Sequence, residues 1–209
     1  MSVISKNIFL LTFIIITATA CSTLNKNECL TANWKTIGYE DGTKGYKASR
    51  IGQHRSACAE HGVRPDLNSY TSGRKEGLRY YCVPTTAYKK GLYGYNYNGV
   101  CTDYNERDFL KAYNNGLEVY KAKDLLSNMK RNYSREEDYI SSLEMELHDK
   151  EHLIVSGQLS KVKALILLNE TKDIAEELGS AKSNLVLLSE DINKQSQHVN
   201  YLIDQYSYQ

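Results

Sequence analysis

The stretch LLSNMKRNYSREEDYISSLEMEL, Leu125 to Leu147, decides the fold. Leu126, Met129, Tyr133, Glu136, Ile140, Leu143 and Leu147 follow one another in alternating steps of three and four. A repeat averaging 3.5 residues, kept over several turns, is the signature of a left-handed coiled coil. A second stripe keeps the same alternation through Leu167, Thr171, Ile174, Leu178, Ala181, Leu185, Leu188, Ile192, Gln195, Val199 and Leu202. Between the stripes stands Ser156-Gly157-Gln158, a natural place for the chain to reverse. Folding it there sets Leu147 opposite Leu167, Leu143 opposite Thr171, Ile140 opposite Ile174, Met129 opposite Leu185 and Leu126 opposite Leu188. Tyr133 then meets Ala181, a large residue facing a small one, as interdigitated packing prefers. Each limb would reach about 75 Å at the α-helical rise. The far end, near Leu202 and Tyr206, is expected to return beside Ala112. The rival arrangement is one continuous helix dimerising with a second chain.

Upstream of this arm the composition changes. Residues 29–102 are rich in Gly, Tyr and Cys, whereas 103–209 are charged and Leu-rich. Of 17 tyrosines, twelve lie between Tyr39 and Tyr120, so most rings belong to the head. A pattern recurs there: Tyr39-x2-Gly42-x3-Tyr46, Tyr70-x2-Gly73-x3-Gly77, Tyr88-x2-Gly91-x3-Tyr95 and Tyr113-x2-Gly116-x3-Tyr120. These positions share one helical face. Gly inside a helix costs about 1 kcal/mol relative to Ala, so its repeated use implies close backbone packing with a ring beside it. Helices are expected over Asn33–Lys47, Gly52–Glu60 and Leu67–Tyr81, the last behind the break and cap Arg64-Pro65-Asp66. Asp103 and Glu106 have the form of a capping box and open the long helix. Tyr88 to Gly99 is the least helix-like stretch. Its rings Tyr88, Tyr93, Tyr95 and Tyr97 are the candidate surface for a glycan or small ligand. The fold expected is mostly α: a small disulfide-stapled, Tyr/Gly-rich helical head followed by a long antiparallel coiled-coil hairpin turning near 156–158.

The N-terminus reads as an address. One charge, Lys6, precedes the apolar run Ile8–Ile16 (IFLLTFIII), followed by Thr17-Ala18-Thr19-Ala20-Cys21. A membrane span needs about 20 apolar residues, so this is a secretory signal over 1–20. A Cys directly after Ala-Thr-Ala resembles a lipobox, which implies lipid on Cys21 and a tether over 21–28. Ser22 behind it resembles sorting to the outer membrane, facing the periplasm. In that oxidising space Cys29, Cys58, Cys82 and Cys101 are expected as two disulfides. The favoured pairing is Cys29–Cys58 with Cys82–Cys101, since sequential bridges suit a run of short antiparallel hairpins. A zinc site on His54, Cys58 and His61, at i, i+4 and i+7, is the alternative.

The run Trp34…Gly38-Tyr39-x-Asp41-Gly42, His54-x3-Cys58, Gly62-x2-Pro65-Asp66-x3-Tyr70-x2-Gly73-Arg74-x2-Gly77-Leu78-x2-Tyr81-Cys82 and Tyr97-x-Gly99-Val100-Cys101 resembles a family of uncharacterised Gram-negative lipoproteins defined as a domain of unknown function. The resemblance covers about Cys29 to Tyr120. It implies the compartment and the fold, and transfers no activity.

Chemistry leaves few traces. There is no Gly-x-Ser-x-Gly, His-Glu-x-x-His or Gly-rich phosphate loop. Asp41, His54, Asp66, Arg74 and Glu76 are the polar residues of the head that an acid–base site would use, although such residues more often cap helices or pair within the fold. On the arm, His148 and His152 with Glu144 and Glu151 have the spacing of a weak metal pair, which a solvated helix face explains as well. The expectation is a non-enzyme with no cofactor and no resident metal. Net charge is +1, and Lys6 leaves with the signal. A nearly neutral chain is not a nucleic-acid binder. The partners expected are a membrane, through the lipid, and a protein of the envelope. The expected role is structural or interaction-based.

Overall fold

The computed structural model describes residues 23–207. The expected signal segment 1–20 and the lipidation position Cys21 lie outside the described residues. Within them the chain is helical, with no strand. The elements are α1 (Lys26–Leu30), α2 (Trp34–Thr43), α3 (Arg50–Ala59), α4 (Leu67–Tyr81), α5 (Pro84–Leu92), α6 (Glu106–Val155) and α7 (Lys161–Tyr206). Caps explain most of the starts. Asn25 and Glu28 form a reciprocal capping box on α1. Asn33 caps α2, Asp66 caps α4, and Ser160 caps α7. Each oxygen satisfies an orphan N–H of a first turn.

Two expectations about boundaries are corrected. The long helix does not start from Asp103. Asn105 is its cap, accepting from Asp108 N–H, and Glu106 is its first residue. Glu106 therefore cannot reach back as a capping-box acid, and its carboxylate accepts the Tyr97 hydroxyl at 2.7 Å instead. Tyr88 is not in a loop either. Pro84 sits at the start of α5, where its fixed φ and missing N–H cost nothing. The irregular segment begins only after Leu92 and runs through Gly94 and Gly99, both at left-handed φ.

Glycines dictate the head. A methyl on Gly38 would overlap the Tyr70 carbonyl, and one on Gly73 the Lys35 carbonyl. Gly42 and Gly77 face Arg74 O and Tyr39 O in the same way. Contacts climb both helices together, so α2 and α4 run parallel, with Gly-x3-Gly on each. The approach lets Cα–H groups meet carbonyl oxygens, each worth about 0.5–1 kcal/mol. The pair α5 and α6 repeats the device: Gly91 meets Tyr113 O, and Gly116 meets Tyr88 O. Ala87 and Ala112, both buried, stand where Gly38 and Gly73 stand in the first pair. Beyond each crossing a glycine at positive φ, Gly45 or Gly94, lies under a tyrosine ring, Tyr81 or Tyr120. The head is thus two copies of one unit: helix, return segment, capped parallel helix.

Each unit carries one staple. Cys29 bonds Cys58 and Cys82 bonds Cys101, with Cα separations of 5.4 and 5.6 Å. The bridges do not close antiparallel hairpins, as the sequence suggested. Each ties the entry of a unit's first helix to the return segment before its second. One core gathers Cys29, Trp34, Ile51, Cys58 and Tyr70. The other gathers Leu78, Tyr81, Cys82, Ala87, Cys101, Phe109 and Ala112. The head therefore extends past residue 102 into the first turns of α6.

The arm is α6 continued and folded back as α7, 50 and 46 residues long. Ile140, Leu143, Ile174, Ala181, Val199 and Leu202 are buried, all members of the two stripes. Gly157 at φ 69° ends α6, so the continuous-helix rival is overturned. The register differs from the expected one. The turn takes residues 156–160, not 156–158, because Ser160 caps α7. Gln195 consequently donates to the Ala122 carbonyl at 3.0 Å, and Lys150 reaches Glu170 at 2.6 Å. Leu202 packs with Val119 and Ala122, about two turns beyond Ala112, and the Tyr206 hydroxyl donates to Glu118 at 2.9 Å.

Candidate functional site

Three helices of the first unit converge on one carboxylate. Asp41 Oδ2, from α2, accepts the Tyr70 hydroxyl of α4 at 2.7 Å. The same oxygen lies 2.8 Å from His54 Nε2 of α3. His54 Nδ1 faces the Thr23 hydroxyl at 2.9 Å. Asp41 and His54 are 6 % and 3 % exposed, so this is an interior network. Burial alone would raise the Asp41 pKa. The hydrogen bonds from His54 and Tyr70, with the electrostatic pull of His54 and Arg50, outweigh it and hold the carboxyl below its ordinary value. Burial, and then the bond to Asp41, drives the Tyr70 hydroxyl far above the usual phenol range. Tyr70 is therefore a fixed donor, and an ionised Asp41 takes a second donor from His54 Nε2–H.

The second unit shows what the crossing itself requires. Lys90 stands at the place of Asp41, and Phe109 at that of Tyr70. Parallel packing on glycine therefore needs neither the acid nor the hydroxyl. What the first unit gains is a grip on the chain's N-terminal segment. Thr23 is bonded to His54, and Leu24 packs on the core of Trp34, Ile51 and Tyr70. Residues 21–28 were expected as a tether. From Thr23 onward they are docked on the head, and α1 opens at Lys26.

The other expected site residues go elsewhere. Asp66 caps α4 and takes the Ser69 hydroxyl at 2.7 Å; that bond and the Ser69 N–H lower its pKa. Arg74 donates Nε and Nη2 to the Tyr46 carbonyl at 3.0 and 2.7 Å, tying the return segment to α4. Glu76 pairs with Lys35 on the surface at 3.4 Å. The zinc alternative is overturned: Cys58 is in a disulfide, His54 faces Asp41, and His61 lies beside Glu60 at 3.7 Å. Among the described residues no three His, Cys, Asp or Glu side chains converge as metal ligands. On the arm His148, His152 and Glu151 are exposed, and Glu144 pairs with Lys182 at 2.7 Å.

The four tyrosines do not share one surface. Tyr88 is half-buried against the second core. The Tyr97 ring lies 4.8 Å from that of Phe109, and its hydroxyl accepts Cys101 N–H at 2.8 Å while donating to Glu106. Burial, with Glu106, pushes its pKa up to about 12. Of the four, Tyr93 and Tyr95 are the well-exposed pair, tilted 55° to each other, with Lys90 Nζ 4.9 Å over the Tyr95 ring. The sequence missed Thr23 and Tyr70 as partners of Asp41 and His54. Aligning the Tyr-x2-Gly copies by unit would have exposed Tyr70 as the hydroxyl that Phe109 lacks.

A family model described as a protein of unknown function (DUF2799) matches residues 33–118, from the cap of α2 to the turn of α6 where Tyr206 lands. No curated protein and no solved structure matches the chain.

Proposed function

We propose that the chain is a lipid-anchored envelope protein with a structural or interaction role, whose head holds a helical arm off a membrane surface. The observation that carries this reading is the docked N-terminal segment. Thr23, two residues after Cys21, is bonded to the buried His54, and Leu24 is packed on the head's core. A lipid on Cys21 would thus hold the head directly against the bilayer, with no free linker between them. The arm then has a fixed origin, because α6 passes unbroken from the head's core at Phe109 into the coiled coil. Thr23, His54 and Asp41 stand in the order of a nucleophile, base and orienting acid. In this reading the bonds among Asp41, His54 and the half-buried Thr23 serve to hold the segment on the head.

The test is labelling of cells with a traceable fatty acid. Label is expected on the wild-type chain and absent from Cys21→Ser, which should also leave the membrane fraction. Label persisting on Cys21→Ser would remove the anchoring claim.

A further inference from the structure

The end of the arm is unlike its length. Along α6 from Glu106 to Glu151, and again from Glu170 to Glu177, acids and bases intermingle, and Glu144–Lys182 and Lys150–Glu170 pair across the limbs. From His152 to Asn169 there is no acidic residue, and the two lysines are Lys161 and Lys163. In the same span large apolar side chains point outward. Val155 is 80 % exposed, Val162 70 % and Leu165 62 %, and Leu153, Ile166 and Leu168 are about half exposed. Leu167 is shielded on the seam stripe, so the turn Ala164 to Leu168, just after the two lysines, is apolar all round. A helix of that kind is normally covered. Nothing in the packing of the hairpin requires these residues, because Ile140, Leu143 and Ile174 supply the buried seam further in.

We infer that this tip seats on an anionic phospholipid surface. Apolar side chains around a turn, with Lys161 and Lys163 beside them and no acid in the span, suit the headgroup boundary of a bilayer. No described helix is long and apolar enough to cross, so the contact is interfacial. A second copy fits less well: a tip-to-tip pair would bring Lys161 and Lys163 of both chains together with no acid in the span to balance them. The inference does not depend on lipid at Cys21. With that lipid it would give the molecule two membrane contacts, one at the head and one at the end of the arm.

The experiment uses the mature chain with both disulfides formed and Cys21→Ser, so that no acyl chain contributes. Vesicles of phosphatidylethanolamine with a minority of phosphatidylglycerol are sedimented with the protein. The chain should co-sediment, and salt should weaken binding. Combining Val162→Ser, Leu165→Ser and Ile166→Ser should lower the partition coefficient at least about tenfold at unchanged helicity. The equally exposed mid-arm pair changed as Val186→Ser and Leu187→Ser should leave it unaltered. Lys161→Gln with Lys163→Gln should weaken binding to these vesicles and not to phosphatidylcholine alone. Absence of co-sedimentation, equal loss from the mid-arm pair, or no loss from the tip variant would overturn the inference. So would a concentration-dependent dimer that the tip variant abolishes, which would assign the tip to a second copy. None of these outcomes bears on the fatty-acid label at Cys21.

Discussion

At the scale of single residues, the first unit differs from the second by a few atoms with measurable consequences. Tyr70→Phe copies what Phe109 already does in the second unit, so the crossing should survive. Asp41 would lose one of its two donors, at a cost of about 1–2 kcal/mol. Chemical denaturation should show a lower midpoint with an unchanged slope; an unchanged midpoint would mean that the hydroxyl is not holding the acid. The acid also sets a pH dependence. Its folded pKa lies below the unfolded value of 3.8, so its contribution is fully present above that value. It is lost as pH falls from there through the lowered folded pKa. Thermal unfolding followed in acid should therefore show a steeper loss in the wild type than in Asp41→Asn, and parallel curves would contradict the assignment. The sequence supplied Asp41 and His54 as candidates, but Tyr70 sits on a third helix and Thr23 on the segment before α1. No local pattern joins residues that only the crossing of three helices brings together.

At the scale of elements, glycines separate two roles that composition alone merges. Gly42 and Gly91 lie against the partner helix's backbone, which cannot yield as a side chain can. Gly42→Ala or Gly91→Ala should destabilise by about 1–3 kcal/mol or more through overpacking. Gly179, in the exposed middle of α7, has open space around it. Gly179→Ala should stabilise by up to about 1 kcal/mol through helix propensity. Thermal melts of the three variants check both signs, and stabilisation by Gly42→Ala would refute the close crossing. The recurring Tyr-x2-Gly spacing was legible as packing because one helical face is a local property. Which copies pair, and that they run parallel, depended on the return segments. The disulfides belong to this scale too. Each closes a loop, of sequence separation 29 or 19, that the chain-entropy model values at about 3 kcal/mol. Cys82→Ser with Cys101→Ser should leave α5 open to protease while the arm stays resistant; equal protection of both would deny the staple its role.

The whole molecule is a stapled, doubled head from which a self-paired arm extends. The seam of that arm was legible residue by residue, since every position from Leu126 to Leu147 and from Leu167 to Leu202 on the two stripes is at least half-shielded. The register was not, because it hangs on the five residues of the turn, set by Gly157 and the Ser160 cap. The match to a family of unknown function ends at Glu118, so most of α6 and all of α7 lie outside it, and their pairing rests on this chain's own seam. Cysteines introduced as Tyr139→Cys and Glu177→Cys replace a hydroxyl and a carboxylate that touch across the limbs. Rapid oxidation within one chain is expected, at a rate independent of protein concentration and with monomeric mobility retained. Disulfides formed only between chains, with a rate that rises with concentration, would contradict it.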